Sequence, residues 1–517
     1  MLARIYTAAV LGVDAYVVTV EVDATAGLPA MATVGLAQSA VKEGRERVLS
    51  AVQNSGFEVP PRKITINLAP ADIKKEGSHF DLPIACGLLV ATGQLGGGIA
   101  DRYALTGELG LDGRLRPIRG ALSIAEAVRS AALAGLVVPR ANLAEAAVVA
   151  DLDVCGASSL VEVIEFLLGR RELERGNGDA EGARQSAVAR GPDLADIRGQ
   201  APAKRALEVA AAGAHNILLI GPPGGGKTML ARRFPSIMPP LTLAEAVEIT
   251  RIHSVAGTLP AGSGLVSQRP FRAPHHTISD AGLVGGGSVP RPGEASLAHN
   301  GVLFLDELTE FRRNVLEVLR QPLEDAEVTI GRASRSLTFP ARFLLAAAMN
   351  PCPCGYLGHE RRPCRCTPTL VRRYRARVSG PLLDRIDLHV EVPPVAPPDL
   401  LDAPASIRSA EVAARVQEAR QRQLARFRDT PGIYANGQMR AGEVDLFCEV
   451  DPRAMALLRA AMAKLHLSAR SFHRVLKIAR TIADLSGEDV IGPAHIAEAI
   501  QYRGLDRDSF KRADVLP

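Results

Sequence analysis

The apolar positions of the chain change their spacing several times, and each change marks a different kind of element. Tyr16 to Val22 and Lys63 to Asn67 are β-branched runs, and VVTVEV within the first alternates with the period of a strand. The Ala-rich stretch Leu122 to Ala134 shifts to a helical spacing, so residues 1–169 read as an α/β or α+β domain. The opening MLARIYTAAVLGVDAYVVTVEVDA could pass for a leader peptide, but Asp14, Glu21 and Asp23 interrupt its apolar run. It reads as strands, and the expected location is cytoplasmic. From Leu194 to about Val395, the runs NILLIG, GVLFLDE and RFLLAAAMN alternate with helical patterns, which predicts a doubly wound parallel sheet. The intervening GRRELERGNGDAEGARQSAVARGP is polar and Gly-rich, hence a linker over 170–192. After the Pro-rich break PPVAPPDL the chain reads as helices, including Pro452 to Lys464 and Ser468 to Leu485. The expected organisation is therefore 1–169, a linker at 170–192, a core over 193–395 and a helical domain over 396–517. No run of about 18 apolar residues occurs, so no membrane partner is expected.

Composition narrows this picture only in part. A length of 517 residues suits about three domains, and 47% hydrophobic with 23% charged residues excludes a disordered chain. Lys and Arg number 61 against 56 acidic residues, and the resulting +5 does not by itself indicate a polyanion partner. Seven cysteines, four of them within 352–366, resemble a metal or redox cluster more than a secreted disulfide framework.

The clearest chemistry lies in Gly221, Pro222, Pro223, Gly224, Gly225, Gly226, Lys227 and Thr228, which follow the run NILLI and precede the helix-compatible MLARRF. Glycines at this spacing let successive backbone N–H groups close around phosphate oxygens, and a helix N-terminus adds favourable partial charge. Lys227 would reach the β- and γ-phosphates of ATP and Thr228 would ligate Mg²⁺. GVLFLDE puts Asp306 and Glu307 at a strand end, where Asp306 would hold Mg²⁺ through water and Glu307 would orient and deprotonate the attacking water. A third apolar strand ends in Asn350, a neutral group able to position that water.

Cys352, Cys354, Cys364 and Cys366 form two C-x-C pairs with His359 between them. Four thiolates satisfy tetrahedral Zn²⁺, and the alternative is four reduced thiols packing a loop. The same segment carries Arg361, Arg362, Arg365, Arg372, Arg373, Arg375, Arg377 and Arg385 around Tyr374, opposed only by Asp384. Such a stripe could track a phosphate backbone or face a neighbouring ATP, and a solvated or interface charge run is the plainer reading.

GPPGGGKT, VLFLDE, Asn350 and LLDRID together resemble the AAA+ ATPases, and DLADIRGQ resembles the segment bordering adenine in that superfamily. FRAPHHTISDAGLVGGGSVPRPGEASLAHNGVLFLDEL, AAMNPCPCGYLGH and RRYRARVSGPLLDRIDLHVEVPP resemble its magnesium-chelatase-like branch, the YifB/ComM family, along essentially the whole chain. By that resemblance Lys227 and Thr228 match Walker A, Asp306 and Glu307 Walker B, and Asn350 sensor 1. Arg385 matches an arginine finger that completes a neighbouring subunit's site, with a salt bridge to Asp384 or Asp387 as the alternative. Arg470 matches the sensor 2 arginine, with Arg474 one turn later as its competitor. The resemblance implies a homo-oligomeric ring, most simply a hexamer, in which GLVGGGSVPRPGE is a second candidate for DNA contact.

INLAPADIKKEGSHFDLPIACGLL and TGELGLDGRLRPIRGALSIAEAV resemble the Lon protease fold. Asp81 stands nearest the nucleophilic Ser and Leu122 at the Lys position, which implies that peptidase chemistry is lost, although Ser78 is close by. The implied fold is a Lon-protease-like α/β N-terminal domain, an AAA+ P-loop α/β core and an α-helical C-terminal lid. The implied function is an ATP-driven motor on single-stranded or branched DNA, a branch-migration helicase working beside recombination proteins. The competing reading is a chelatase-type motor that remodels a protein. Cys86, Cys155 and Cys448 are left as packing residues.

Overall fold

A computed structural model of the protein describes residues 2–36, 39–73, 75–96, 102–178, 192–287, 290–331, 336–359, 362–394, 407–430, 432–465 and 468–503. Most of the expected linker, residues 395–406 of the Pro-rich break, Arg361 and positions 288–289 of the glycine loop lie outside these described residues.

The N-terminal part contributes β1 (Leu2–Leu11), β2 (Asp14–Thr25), β3 (Ala30–Val34), β4 (Lys63–Ala69), β5 (Tyr103–Leu105), β6 (Glu108–Leu109), β7 (Leu115–Arg116), β8 (Gly135–Pro139), β9 (Asp153–Ala157) and β10 (Glu174–Arg175). Eight of these form one mixed sheet in the order β10-β9-β8-β5-β1-β2-β4-β3, while β6 and β7 pair as a separate hairpin. The long β1–β2 hairpin is antiparallel, with Ile5 opposite Val20, and buries alternate side chains as the two-residue period requires. Helix Asp81–Ala91 is buried at all of its residues, in the core that also holds Val18, Val20 and Ile66. Helix Ala121–Ser130 joins a second apolar cluster with Ala8, Ala104 and Leu136, so the sheet is covered on both faces. That helix ends earlier than its sequence pattern suggests, because Ala132 turns left-handed (φ 55°) ahead of β8.

The second sheet is entirely parallel. It comprises β11 (Ile217–Ile220), β12 (Phe271–Arg272), β15 (Val302–Leu305), β18 (Leu344–Met349) and β19 (Leu388–Glu391), in the order β12-β15-β18-β11-β19. Between them, β13 (Gly285–Gly286) pairs with β14 (Arg291–Pro292), and β16 (Glu327–Gly331) with β17 (Ser336–Pro340). Asn216 fastens the N-terminal edge: its amide donates to Arg385 O (2.9 Å) and its Oδ1 accepts from Leu345 N (2.8 Å).

Helices from Ser409 onward pack against this sheet. Val412, Val416, Val475, Ile478 and Ile482 share one apolar cluster with Leu219, Phe304 and Ala346 of the sheet. Leu218, Leu303 and Leu345 face the opposite way, into a different cluster. Helix Ala469–Ser486 begins where the Ser468 hydroxyl accepts from Ser471 N and ends at left-handed Gly487. The two sheets meet through helix Leu243–Ala256: Gly120 N donates to Ser254 Oγ (2.7 Å), Ser254 Oγ donates to buried Glu145, and Arg251 pairs with Glu126 (3.2 Å). No helix among the described residues is long and apolar enough to cross a membrane.

Candidate nucleotide-binding site

Strand β11 lies between β18 and β19, where the order of connection reverses, and in open parallel sheets the crevice at such a point is where ligands bind. The loop Gly221–Gly226 leaves the C-terminal end of β11 at this crevice. Gly224 (φ 79°) and Gly226 (φ 89°) are left-handed, a conformation that a side chain resists. A Cβ on Gly221 would lie 2.1 Å from Val392 O, so only glycine lets the loop pass beside the end of β19. Helix Lys227–Arg232 follows at once, leaving its first N–H groups directed toward the loop.

Lys227 Nζ donates to Gly221 O (2.7 Å), Pro222 O (2.9 Å) and Asn350 Oδ1 (3.2 Å). All three acceptors are neutral, so the ammonium keeps its full charge for an anion. Burial lowers its pKa, against the pull of Asp306 and Glu307. Thr228 Oγ1 donates to Asp306 Oδ2 (2.6 Å), and Asp306 Oδ1 accepts from Glu307 N (3.0 Å). A hydroxyl and a carboxylate side by side are the oxygen donors that Mg²⁺ takes next to a phosphate. The backbone and the donor set thus fit a magnesium nucleotide. Magnesium would neutralise phosphate charge, and the chain's own residues supply the remaining contacts.

Glu307 is non-glycine and left-handed (φ 52°), a strained geometry costing about 1–2 kcal/mol. Its carboxylate is 60% exposed and 3.7 Å from His276 Nδ1, an ion-pair distance when the imidazole is protonated. Lys227, Thr228, Asp306, Glu307 and Asn350 therefore gather at the C-terminal edge of the sheet.

Arg385 and Arg470 do not join them. Arg385 Nη1 donates to Pro381 O (2.6 Å) and its guanidinium pairs with Glu324, not with Asp384 or Asp387. Its backbone is tied to Asn216, ahead of β11, so it occupies the N-terminal edge, about 13 Å of strand away from the loop. Arg470 is exposed in the first turn of helix Ala469–Ser486. One turn on, Arg474 lies 3.6 Å from Asp387, which His215 also approaches (3.5 Å). Burial pushes the Asp387 carboxyl up, but its neighbours His215, Arg474 and Lys477 outweigh burial and hold it down at about 2.

The four clustered cysteines converge. Sγ separations are 3.4 Å for Cys352–Cys354, 3.7 Å for Cys352–Cys364 and 3.6 Å for Cys354–Cys364, and all four ligand atoms, including that of Cys366, lie within 4.8 Å of one another. Thiolates at roughly 2.3 Å from tetrahedral zinc stand roughly 3.8 Å apart, so the set fits that ion. His359 is outside the cluster, its Nδ1 accepting from Arg362 N (3.2 Å). Cys86, Cys155 and Cys448 are buried, and burial pushes each thiol up to about 12.

The basic stripe divides. Arg375 is buried and donates to Pro351 O (3.0 Å), Arg377 pairs with Glu310 (3.2 Å), and Arg385 pairs with Glu324. Arg362, Arg365, Arg372 and Arg373 are exposed. In the N-terminal part, Asp81 pairs with Arg47 (3.0 Å), Ser78 Oγ bonds to Glu108, and Leu122 is fully buried.

His276 and Gln200 were not foreseen from the sequence. Gln200 Nε2 donates to Pro393 O (2.6 Å) and Gly225 O (3.3 Å), bracing the phosphate loop against the chain after β19. The DLADIRGQ segment, which ends in Gln200, was the available signal; for His276 it was the polar pair inside FRAPHHT.

Three family models match the chain: "Magnesium chelatase, subunit ChlI" over residues 193–400, "Subunit ChlI of Mg-chelatase" over 20–142, and "Magnesium chelatase, subunit ChlI C-terminal" over 406–503. The chain is 46% identical over 510 residues to the uncharacterized protein YifB of Salmonella typhimurium, covering 98% of each chain. It is 44% identical over 512 residues to the competence protein ComM of Haemophilus influenzae, again covering 98% of each. A weaker match, 32% over 152 residues, links 27% of this chain to 26% of Lon protease 2 of Bacillus subtilis.

Proposed function

This chain belongs to the YifB/ComM family of magnesium-chelatase-like proteins, and from that premise we propose that it is an ATP-hydrolysing AAA+ ring motor that acts on DNA. The observation that carries the ATPase reading is the junction at the end of β11, where Lys227 meets Asn350 and Thr228 meets Asp306. In this reading Lys227 and the Gly221–Gly226 backbone hold the phosphates, and Thr228 and Asp306 hold Mg²⁺. Glu307 takes the proton of the attacking water and Asn350 orients that water. Arg385 serves the site of the adjacent subunit in a homohexamer, and Arg470, or Arg474 one turn later, is the sensor 2 arginine. The place of Arg385 at the opposite edge of the sheet supports its action in trans, because its backbone is tied to Asn216, away from its own phosphate loop.

The motor works in the cytoplasm on single-stranded or branched DNA, as a branch-migration helicase beside recombination proteins. Supporting this are the exposed cations Arg362, Arg365 and Arg373 and the competence name carried by ComM. The Lon-like N-terminal domain, 1–169, serves as a scaffold or DNA guide without peptidase chemistry. Cys352, Cys354, Cys364 and Cys366 hold a structural zinc. A second reading, a chelatase-type motor that remodels a protein, is favoured by the magnesium chelatase description of all three matching models.

The test is the ATPase rate with and without single-stranded and branched DNA, with Lys227→Ala as the blank. DNA stimulation supports the DNA motor. An unchanged rate and unchanged oligomeric state rejects it in favour of the protein-remodelling reading.

A further inference from the structure

The cysteine loop touches three parts of the nucleotide site. It begins two residues after Asn350, whose Oδ1 accepts from Lys227. Within it, Gly355 (φ 82°) presses on the phosphate loop so closely that a Cβ there would lie 2.5 Å from Pro223 Cδ. After Cys366 the chain enters helix Pro368–Arg375, where the Thr367 hydroxyl accepts from Leu370 N. That helix returns to both ends of the site. Arg375 Nε donates to Pro351 O (3.0 Å), beside Asn350, and Arg377 Nη1 donates to Thr309 O (3.2 Å) in the turn after Glu307. The described residues between 350 and 377 thus close on the sensor strand, the phosphate loop and the Walker B turn, with the four sulfurs among them.

We propose that the four-cysteine metal site is a clasp for ATP chemistry: a divalent thiophilic ion, zinc, folds the loop so that Gly355 holds Pro223 and Pro351 holds Asn350. This rests on the zinc reading above and adds a positioning role. The physical reason is that a short loop with two C-x-C arms contributes little apolar burial of its own. Only Cys352 among the four is fully buried, so cross-linking by a metal is what fixes its shape. Once fixed, the loop transmits that rigidity to Lys227 and Asn350 through the Pro223 ring and through the Arg375 bond to Pro351 O.

Two variants of the full chain test the clasp. Cys354→Ser with Cys366→Ser removes two ligands, and Gly355→Ala keeps all four while forcing Pro223 to move. Bound zinc is measured by mass spectrometry, affinity for a fluorescent ATP analogue by titration, and kcat and KM separately. We expect the double variant to lose its zinc, with kcat falling about tenfold to a hundredfold, as small displacements of a reacting group produce. Gly355→Ala is expected to keep its zinc while its ATP affinity falls about tenfold. Full zinc with unchanged affinity in Gly355→Ala overturns the clasp, and so does zinc loss with unchanged kcat and KM in a folded double variant. Absence of zinc from the parent protein sinks the metal reading alone. The Gly355→Ala titration then still decides whether the loop positions the phosphate loop.

Discussion

Lys227 and Glu307 lie in one site under opposite conditions: the ammonium is buried among neutral acceptors, the carboxylate is exposed on a strained backbone. Removing them should therefore fail differently. Lys227→Ala is expected to abolish ATP binding, whereas Glu307→Gln should bind ATP normally and lose about 10²- to 10⁴-fold in kcat. Nucleotide titration and single-turnover hydrolysis separate the two, and unimpaired hydrolysis by Glu307→Gln would remove it from the chemistry. At the other edge, Asp387 is depressed to about 2 from an unfolded value near 3.8. Its contribution to stability is complete above that unfolded value and is lost as pH falls through about 2. Asp387→Asn should cost about 3 kcal/mol at neutral pH, by removing the carboxylate that Arg474 pairs with, and should flatten the acid limb of a denaturation series. Lys227, Thr228 and Asp306 were legible because their motifs are local in sequence. The partner of Arg385 was not, because Glu324 reaches it only through the placement of helix Arg320–Asp325.

Elements were legible where one face is wet. Alternation in β2 and the β-branched run of β4 make both strands legible, since each buries one face. Helix Asp81–Ala91 has no helical period to read, because every residue in it is buried. The apolar faces of the C-terminal helices complete the same cluster as β11 and β18, a long-range fact that periodicity does not contain. The docking of helix Leu243–Ala256 on the N-terminal sheet was equally hidden, since it depends on Ser254, Glu145 and Gly120. Ser254→Ala should destabilise by about 1–3 kcal/mol, through two broken buried hydrogen bonds, and speed amide exchange in Ala121–Ser130. Unchanged exchange would mean that the joint is not held there. Burial raises Glu145 in spite of these bonds. The stability associated with it is fullest below its ordinary value of 4.5 and declines as pH rises through the raised one.

At the scale of the whole molecule, the net charge of +5 conceals the useful distribution: part of the arginine stripe is consumed in packing and part is displayed. If the exposed part meets DNA, Arg373→Glu should weaken binding at every sequence and lower the slope of log affinity against log salt by about one per lost phosphate contact. A slope unchanged within error would move the DNA path elsewhere. The geometry makes its strongest demand on assembly, because the site's cation and carboxylates lie at one edge of the sheet and Arg385 at the other. Lys227→Ala and Arg385→Ala should each be inactive alone, and mixing them decides the matter. In a ring, some interfaces then pair an intact Lys227 with a neighbour's intact Arg385, and ATPase activity should return to a substantial fraction of the parent rate. A mixture as inactive as its parts, although it forms mixed rings, or an Arg385→Ala protein as active as the parent, would contradict the account.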